Sequence, residues 1–352
     1  MHGVDTDRRP FVLVWELTRA CDLSCDHCRA DAQPERHPDE LTTAEGKALL
    51  DDAREFGEGQ LVVFSGGDPS KRDDLRELVD YGTDIGLTVT LTPSGTEQLT
   101  ADTVHGLADS GLKRLALSID GGTAAAHDDF RGEDGSFDQT LTAARAARDA
   151  GLPLQINTTV CQRTVDDLPA IRDLVADLDA VLWSVFFLVP VGRGRVLDPV
   201  TPERADEVMA WLADVEDDAD FAVKTTEAPQ YRRVRQQRTE GTGADRTGII
   251  AGDGFAFVSH VGDVYPSGFL PESAGNVRQE GVVSLYRDSS LFESLRDRDA
   301  LKGKCGACPF RTVCGGSRSR AYAYTGDPLA SDPLCPYVPP GYDGPLPAQE
   351  LS

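Results

Sequence analysis

Glu16-Leu17-Thr18-Arg19-Ala20-Cys21-Asp22-Leu23-Ser24-Cys25-Asp26-His27-Cys28 decides how the rest of the chain is read. It leaves a β-prone run, Phe11 to Leu17, and closes on three cysteines spaced C-x3-C-x2-C. Structural zinc wants four ligands, usually with paired C-x2-C, so three thiolates on one loop leave a coordination position open. On a four-iron, four-sulfur cluster the same three thiolates leave one iron free for a substrate or cofactor. Zinc with His27 as fourth ligand is the plainer alternative.

Outward from that loop, short β-rich apolar runs alternate with amphipathic helical runs as far as Phe221, the rhythm of βα units on a parallel sheet. Strands are expected at Phe11 to Leu17, Gln60 to Ser65, Leu87 to Thr92, Lys113 to Ile119, Leu154 to Val160 and Val181 to Val189. A helical run follows each. The first begins at Thr42 with Glu45 three residues on, a capping box, and Gly57, Gly86, Gly111 and Gly151 stand where left-handed helix ends are expected. Six units fit an α/β partial (β/α)6 TIM-like barrel, with reactive groups on loops at the C-terminal strand ends. The expected plan is a tail over 1–10, the barrel over 11–221, an Arg-, Gln-, Thr- and Gly-rich linker or mobile loop over 222–250, a small cysteine-rich α+β domain over 251–340 and a tail over 341–352.

That last domain carries Cys305, Cys308, Cys314 and Cys335 as C-x2-C-x5-C-x20-C, a set able to close a site around zinc or an iron-sulfur cluster. Cys161, alone after the fifth strand, reads as a buried inert thiol. No H-E-x-x-H or G-x-S-x-G pattern accompanies them.

The 352 residues carry a formal charge of −24, with 41 Asp against 18 Glu and 29 Arg against 6 Lys. Such a surface repels nucleic acid and anionic membranes, and neither partner is expected. It suits concentrated salt, where the Debye length falls to about 3 Å at 1 M. We read a halophilic, cytoplasmic protein: Met1 to Pro10 has no secretory character, and the apolar run Ala180 to Val191 falls short of the roughly 20 residues of a membrane span. Thiols there stay reduced, which favours metal ligation over disulfides.

The order of motifs resembles the radical S-adenosylmethionine (SAM) superfamily, whose cluster loop has this cysteine spacing after the first strand of a six-unit partial barrel. The resemblance implies a SAM-binding 4Fe-4S cluster on Cys21, Cys25 and Cys28, SAM chelated by the open iron, and release of a 5′-deoxyadenosyl radical. It places His27 near adenine. Ser65-Gly66-Gly67-Asp68-Pro69 resembles the Gly-Gly-Glu element that meets the SAM amino group, with glycines allowing backbone close to ligand. Ser118 and Asp120, on one face of the fourth strand, match the ribose-contacting segment. Arg131 matches an arginine that meets the SAM carboxylate, and Asn157 and Pro190 match contacts to ribose and adenine.

The C-terminal part resembles the SPASM/twitch-type extension of radical SAM enzymes that modify peptides or tetrapyrroles. Its cysteines match the set for the cluster farther from SAM, while Ser267 and Ser317 stand where ligands of the nearer one belong, which implies one auxiliary 4Fe-4S cluster. Around Glu16 to Cys21, Cys28 to Ala32 and Ser317 to Tyr322 the chain looks most like enzymes of alternative haem and haem d1 synthesis. An oxidoreductase acting on a tetrapyrrole side chain follows, decarboxylating iron-coproporphyrin propionates to vinyls, with reduced ferredoxin or flavodoxin as electron donor. Arg193, Arg195, Arg232, Arg233, Arg235, Arg318 and Arg320 are the expected anion-binding patch. The alternatives are removal of acetate side chains from a sirohaem derivative, modification of a ribosomal peptide, disfavoured because no added domain precedes residue 11, and a metal-bearing assembly protein without catalysis.

Overall fold

The alternating runs become strands β1 (Val12–Thr18), β2 (Leu61–Gly66), β3 (Thr88–Leu91), β4 (Leu115–Ser118), β5 (Leu154–Val160) and β6 (Leu182–Phe187). This computed structural model describes residues 5–238 and 249–347. One sheet runs in the order β10-β9-β8-β1-β2-β3-β4-β5-β6-β7, adding β7 (Ala222–Thr226), β8 (Phe255–Val258), β9 (Asp263–Tyr265) and β10 (Gly275–Asn276). The pairs from β8 through β1 to β7 are parallel, and β9 and β10 turn back antiparallel.

Side chains alternate across the sheet. Leu13, Trp15, Leu17, Val62, Phe64, Val89, Leu91, Leu117, Ile156, Trp183 and Val223 face the helices and join one buried core. Each such side chain contributes about 1.5–3 kcal/mol by leaving water. On the other face Val14, Leu61, Val63, Thr88, Thr90 and Gln155 stay partly open, so the concave side of the barrel is accessible. The capping box at Thr42 forms with Glu45, and Gly57, Gly86, Gly111 and Gly151 all take positive φ.

Three parts of the domain plan differ. Residues 222–226 are not linker but β7, in parallel register with β6, and Gln230–Arg238 is a helix. That helix lacks a strong apolar stripe because ion pairs hold it: Arg233, Arg235 and Arg238 meet Asp206, Asp217 and Asp214 of the helix Pro202–Asp218. The rest of the expected linker, 239–248, lies outside the described residues. The C-terminal segment builds no sheet of its own, because β8 pairs with β1 at Val12↔Phe255 and extends the barrel sheet. Residues 5–10 are not a free tail either: the Thr6 carbonyl accepts from Tyr286 Oη at 2.6 Å and the Arg8 carbonyl from Arg287 Nε at 2.8 Å. Among the described residues, no helix is long and apolar enough to cross a membrane.

Candidate active site

The cysteine loop leaves the C-terminal end of β1 and is tied at its base, where Cys21 N–H donates to Gln33 O (2.8 Å) and Gln33 N–H to Arg19 O (3.0 Å). Behind it Glu16 is buried against Arg29 Nη2 and His260 Nδ1, each at 2.9 Å, and Arg29 lies over the Phe257 ring. Burial alone would raise the Glu16 carboxyl, yet Arg29 and His260 outweigh it and bring it to about 2 from 4.5. A folded-state value below the unfolded one gives stability that is complete above pH ~4.5 and is lost as pH falls toward 2, about 3 kcal/mol for such a shift. In urea titrations, Glu16→Gln is expected to lose that much less stability between pH 5 and 2.5 than the wild type. Equal losses would show that Glu16 does not set the acid limb.

Gly66 and Gly67 press on the same loop. A Cβ at Gly66 would lie 2.4 Å from Thr18 O, and one at Gly67 2.4 Å from Ala20 O, while Gly67 N–H donates to Thr18 O at 2.8 Å. The close approach expected toward a ligand is thus first an approach to the loop's own backbone. Asp68 is fully buried and turned into protein: it accepts from Ser70 Oγ (2.5 Å), Thr96 Oγ1 (2.6 Å) and the Ser94 and Ser70 amides. Its carboxylate shapes the turn after β2, which leaves the backbone of Gly66 to Asp68 as the part of this element open to the contact expected of it. Burial raises its pKa against those donors.

Asp120 and Arg131, expected to meet separate parts of one ligand, also meet each other. Arg131 Nη2 lies 2.6 Å from Asp120 Oδ2, and Nη1 donates to Cys25 Sγ at 3.7 Å. Asp120 also accepts from Thr159 N–H at 2.6 Å. Both are buried; burial opposes both charges, and each partner stabilises the other's ionised form. His27 stacks on Phe130 with ring centroids 4.6 Å apart and 6° between planes. Burial brings it to about 4 despite Asp120, so it is neutral at pH 7.

The loop after β6 clamps the cysteine loop from the far side. Gly192 sits where a Cβ would lie 2.5 Å from Cys28 O, and Arg193 donates to Cys25 O (2.9 Å) and Ala32 O (3.0 Å). Pro190, just before, is buried. Ser118 and Asn157 are paired in register on β4 and β5, with Asn157 Oδ1 accepting from Gln155 Nε2 at 2.7 Å. Cys21, Cys25 and Cys28 therefore share one loop held by four other segments. Cys21 is pushed by burial to about 11, and Cys25 is raised by burial against the pull of Arg131. Cys161 is buried beside Phe130, Leu188 and Leu197.

In the C-terminal segment Cys305, Cys308, Cys314 and Cys335 line one small cavity with Gln230, Arg233, Lys304 and Tyr337. Burial raises the Cys308 and Cys314 thiols and brings Cys335 to about 12. Among the described residues, no three Cys, His, Asp or Glu side chains are placed to hold a single metal ion. Ser267 and Ser317 both donate to the Glu227 carboxylate, joined by Ser319 at 2.9 Å. Glu227 was not foreseen, since it falls in the expected linker and its three serine partners come from two distant segments.

Most arginines of the expected basic patch are engaged within the protein. Arg318 and Arg320 are wholly buried and spend their donors inside the protein: Arg318 on the Pro328 and Ala330 carbonyls and Cys305 Sγ, Arg320 on the Phe187, Leu188 and Glu227 carbonyls and, at 3.2 Å, the Asp332 carboxylate. Arg193, Arg233 and Arg235 are engaged as described, and Arg195 is exposed. Among the described residues Arg193 Nη2, Arg232 Nη1 and Arg233 Nε are each buried without a hydrogen-bond partner.

The Radical SAM superfamily profile matches residues 15–175. The AdoMet-dependent heme synthase of Methanosarcina barkeri is 41% identical over 94% of this chain and 97% of its own, and that of Nitratidesulfovibrio vulgaris 39% over 93% and 92%. The Fe-coproporphyrin III synthase of M. barkeri is 31% identical over 94% and 88%. Among solved structures, Streptococcus suis SuiB bound to S-adenosylmethionine superposes with a TM-score of 0.76 at 18% identity over 94% of this chain and 78% of its own, a likeness of fold.

Proposed function

The chain belongs to the radical SAM superfamily and is an enzyme of radical chemistry, and from that premise we propose that it is a haem synthase, turning propionate side chains of an iron-coproporphyrin into vinyl groups. The observation that carries the reading is the end-to-end identity to two haem synthases, well above that to the Fe-coproporphyrin III synthase.

Cys21, Cys25 and Cys28 would hold the SAM-binding 4Fe-4S cluster. The donor set fits, because buried thiols of raised pKa are poor thiolates alone and good ones once cationic iron compensates their charge. With SAM, that cluster supplies one electron and a carbon radical able to take a hydrogen atom. The protein's part is positioning: Arg193 and the Gly66-Gly67 turn hold the loop, Arg131 keeps Asp120 and Cys25 together, and Ser118 at the end of β4 and Asn157 in the middle of β5 set polar groups side by side.

Conversion of one propionate to vinyl removes a hydrogen atom, carbon dioxide and one further electron. The four C-terminal cysteines are the groups to hold an acceptor, one auxiliary 4Fe-4S cluster, and their shared cavity supports this. Glu227 and its serines stand where ligands of a second auxiliary cluster would be needed, which supports a single one. A reduced ferredoxin or flavodoxin is the donor that starts the reaction.

Anaerobically reduced protein, given SAM and iron-coproporphyrin III, is expected to yield 5′-deoxyadenosine and a porphyrin lighter by one carbon dioxide and two hydrogens per side chain. Absence of both products contradicts the proposal.

A further inference from the structure

Arg114, Lys224 and Arg232 stand out in a chain with 59 acidic residues, because among the described residues none of the three has a carboxylate partner. The register of the sheet brings them together. Ser118, Asn157, Ser184 and Lys224 follow one another across β4, β5, β6 and β7 as consecutive pairs. Val223 is buried in the helix-side core, so Lys224 points to the concave face, accessible to solvent yet surrounded by protein. Arg114 reaches the same wall from below β4, with Nη1 3.5 Å from Gln155 Oε1, and Gln155 in turn donates to Asn157.

Arg232 comes in from the helix Gln230–Arg238. It donates Nη2 to Ile249 O at 2.9 Å and leaves Nη1 unbonded, as Arg114 leaves Nε. The carboxylate that faces Arg232, Asp253, is engaged by Arg298 Nη2 at 2.5 Å and Nε at 3.1 Å. Burial first, then Arg232 and Arg114, lowers Lys224 from 10.5 to about 8. Arg232 and Arg114 both act on Lys224, and among the described residues no carboxylate pairs directly with any of the three, so an arriving anion would relieve their mutual repulsion.

We propose that Arg114, Lys224 and Arg232 bind carboxylates of the substrate, holding a polycarboxylate from the β7 side of the barrel beside the polar row that ends at Ser118. The inference rests on the haem-synthase reading, which makes that substrate an iron porphyrin with several propionates. It replaces the surface arginine patch with an inward one.

The test is titration of the reconstituted full-length enzyme with iron-coproporphyrin III, and separately with its tetramethyl ester, followed by the porphyrin absorbance. Wild type is expected to bind the acid more tightly than the ester. Lys224→Met and Arg114→Met are each expected to weaken the acid about tenfold or more, as for loss of a charge-assisted hydrogen bond, and to leave the ester unmoved, with Lys224→Arg restoring most of the affinity. Variants that bind the acid like wild type, or that weaken acid and ester equally, overturn the inference while the haem reading stands. Variants whose SAM affinity falls instead overturn it too, assigning the cations to the SAM carboxylate. A wild type that binds neither porphyrin overturns the haem reading and the inference with it.

Discussion

Cys25→Ala in the reconstituted enzyme is expected to abolish 5′-deoxyadenosine formation, by about a thousandfold or more, since only two thiolates would remain where three are needed. Cys25 is held at two points: its sulfur accepts from Arg131 Nη1, which is fixed by Asp120, and its carbonyl accepts from Arg193. The substitution removes a small buried side chain and leaves both arginines with their other partners, so the fold is expected to persist by circular dichroism. Iron is expected to fall from about eight to about four per chain, the content of one remaining 4Fe-4S cluster. A variant that still cleaves SAM at the wild-type rate would remove Cys25 from the site.

Cys314→Ala is expected to separate the two halves of the reaction. Iron again falls to about four per chain, but the cysteine loop on β1 is untouched, so SAM cleavage by strong reductant continues while vinyl formation is lost. The reason is the surplus electron of each decarboxylation, which has no acceptor once one of the four thiols lining the C-terminal cavity is gone. Wild-type iron near four or near twelve would contradict a single auxiliary cluster. Full vinyl formation by the variant would show that the electron leaves by another route.

What could be read from the amino acids was whatever is local. The cysteine loop, the strand before it and the glycine turn after β2 each declare themselves within a few residues, because ligand spacing and backbone needs are short-range. Strand β7 was missed because its inward positions, Lys224 and Thr226, are polar and the Arg-rich helix behind it is held by ion pairs to Asp206, Asp214 and Asp217 rather than by an apolar stripe. Charge was legible and its use was not: Arg318 and Arg320 look like a patch in sequence, yet tertiary structure turns both onto buried carbonyl oxygens and Arg320 onto the Asp332 carboxylate as well. The same holds for Asp68 and Asp120, which accept from residues 28 and 39 positions away. Lys224 gains meaning only when the register sets it in line with Ser184, Asn157 and Ser118.

The most direct test uses iron-coproporphyrin III deuterated at the propionate carbons beta to the carboxylates. Reduced enzyme and SAM should transfer that deuterium into 5′-deoxyadenosine, in step with the appearance of vinyl groups. Unlabelled 5′-deoxyadenosine, formed with the porphyrin unchanged, would contradict the account.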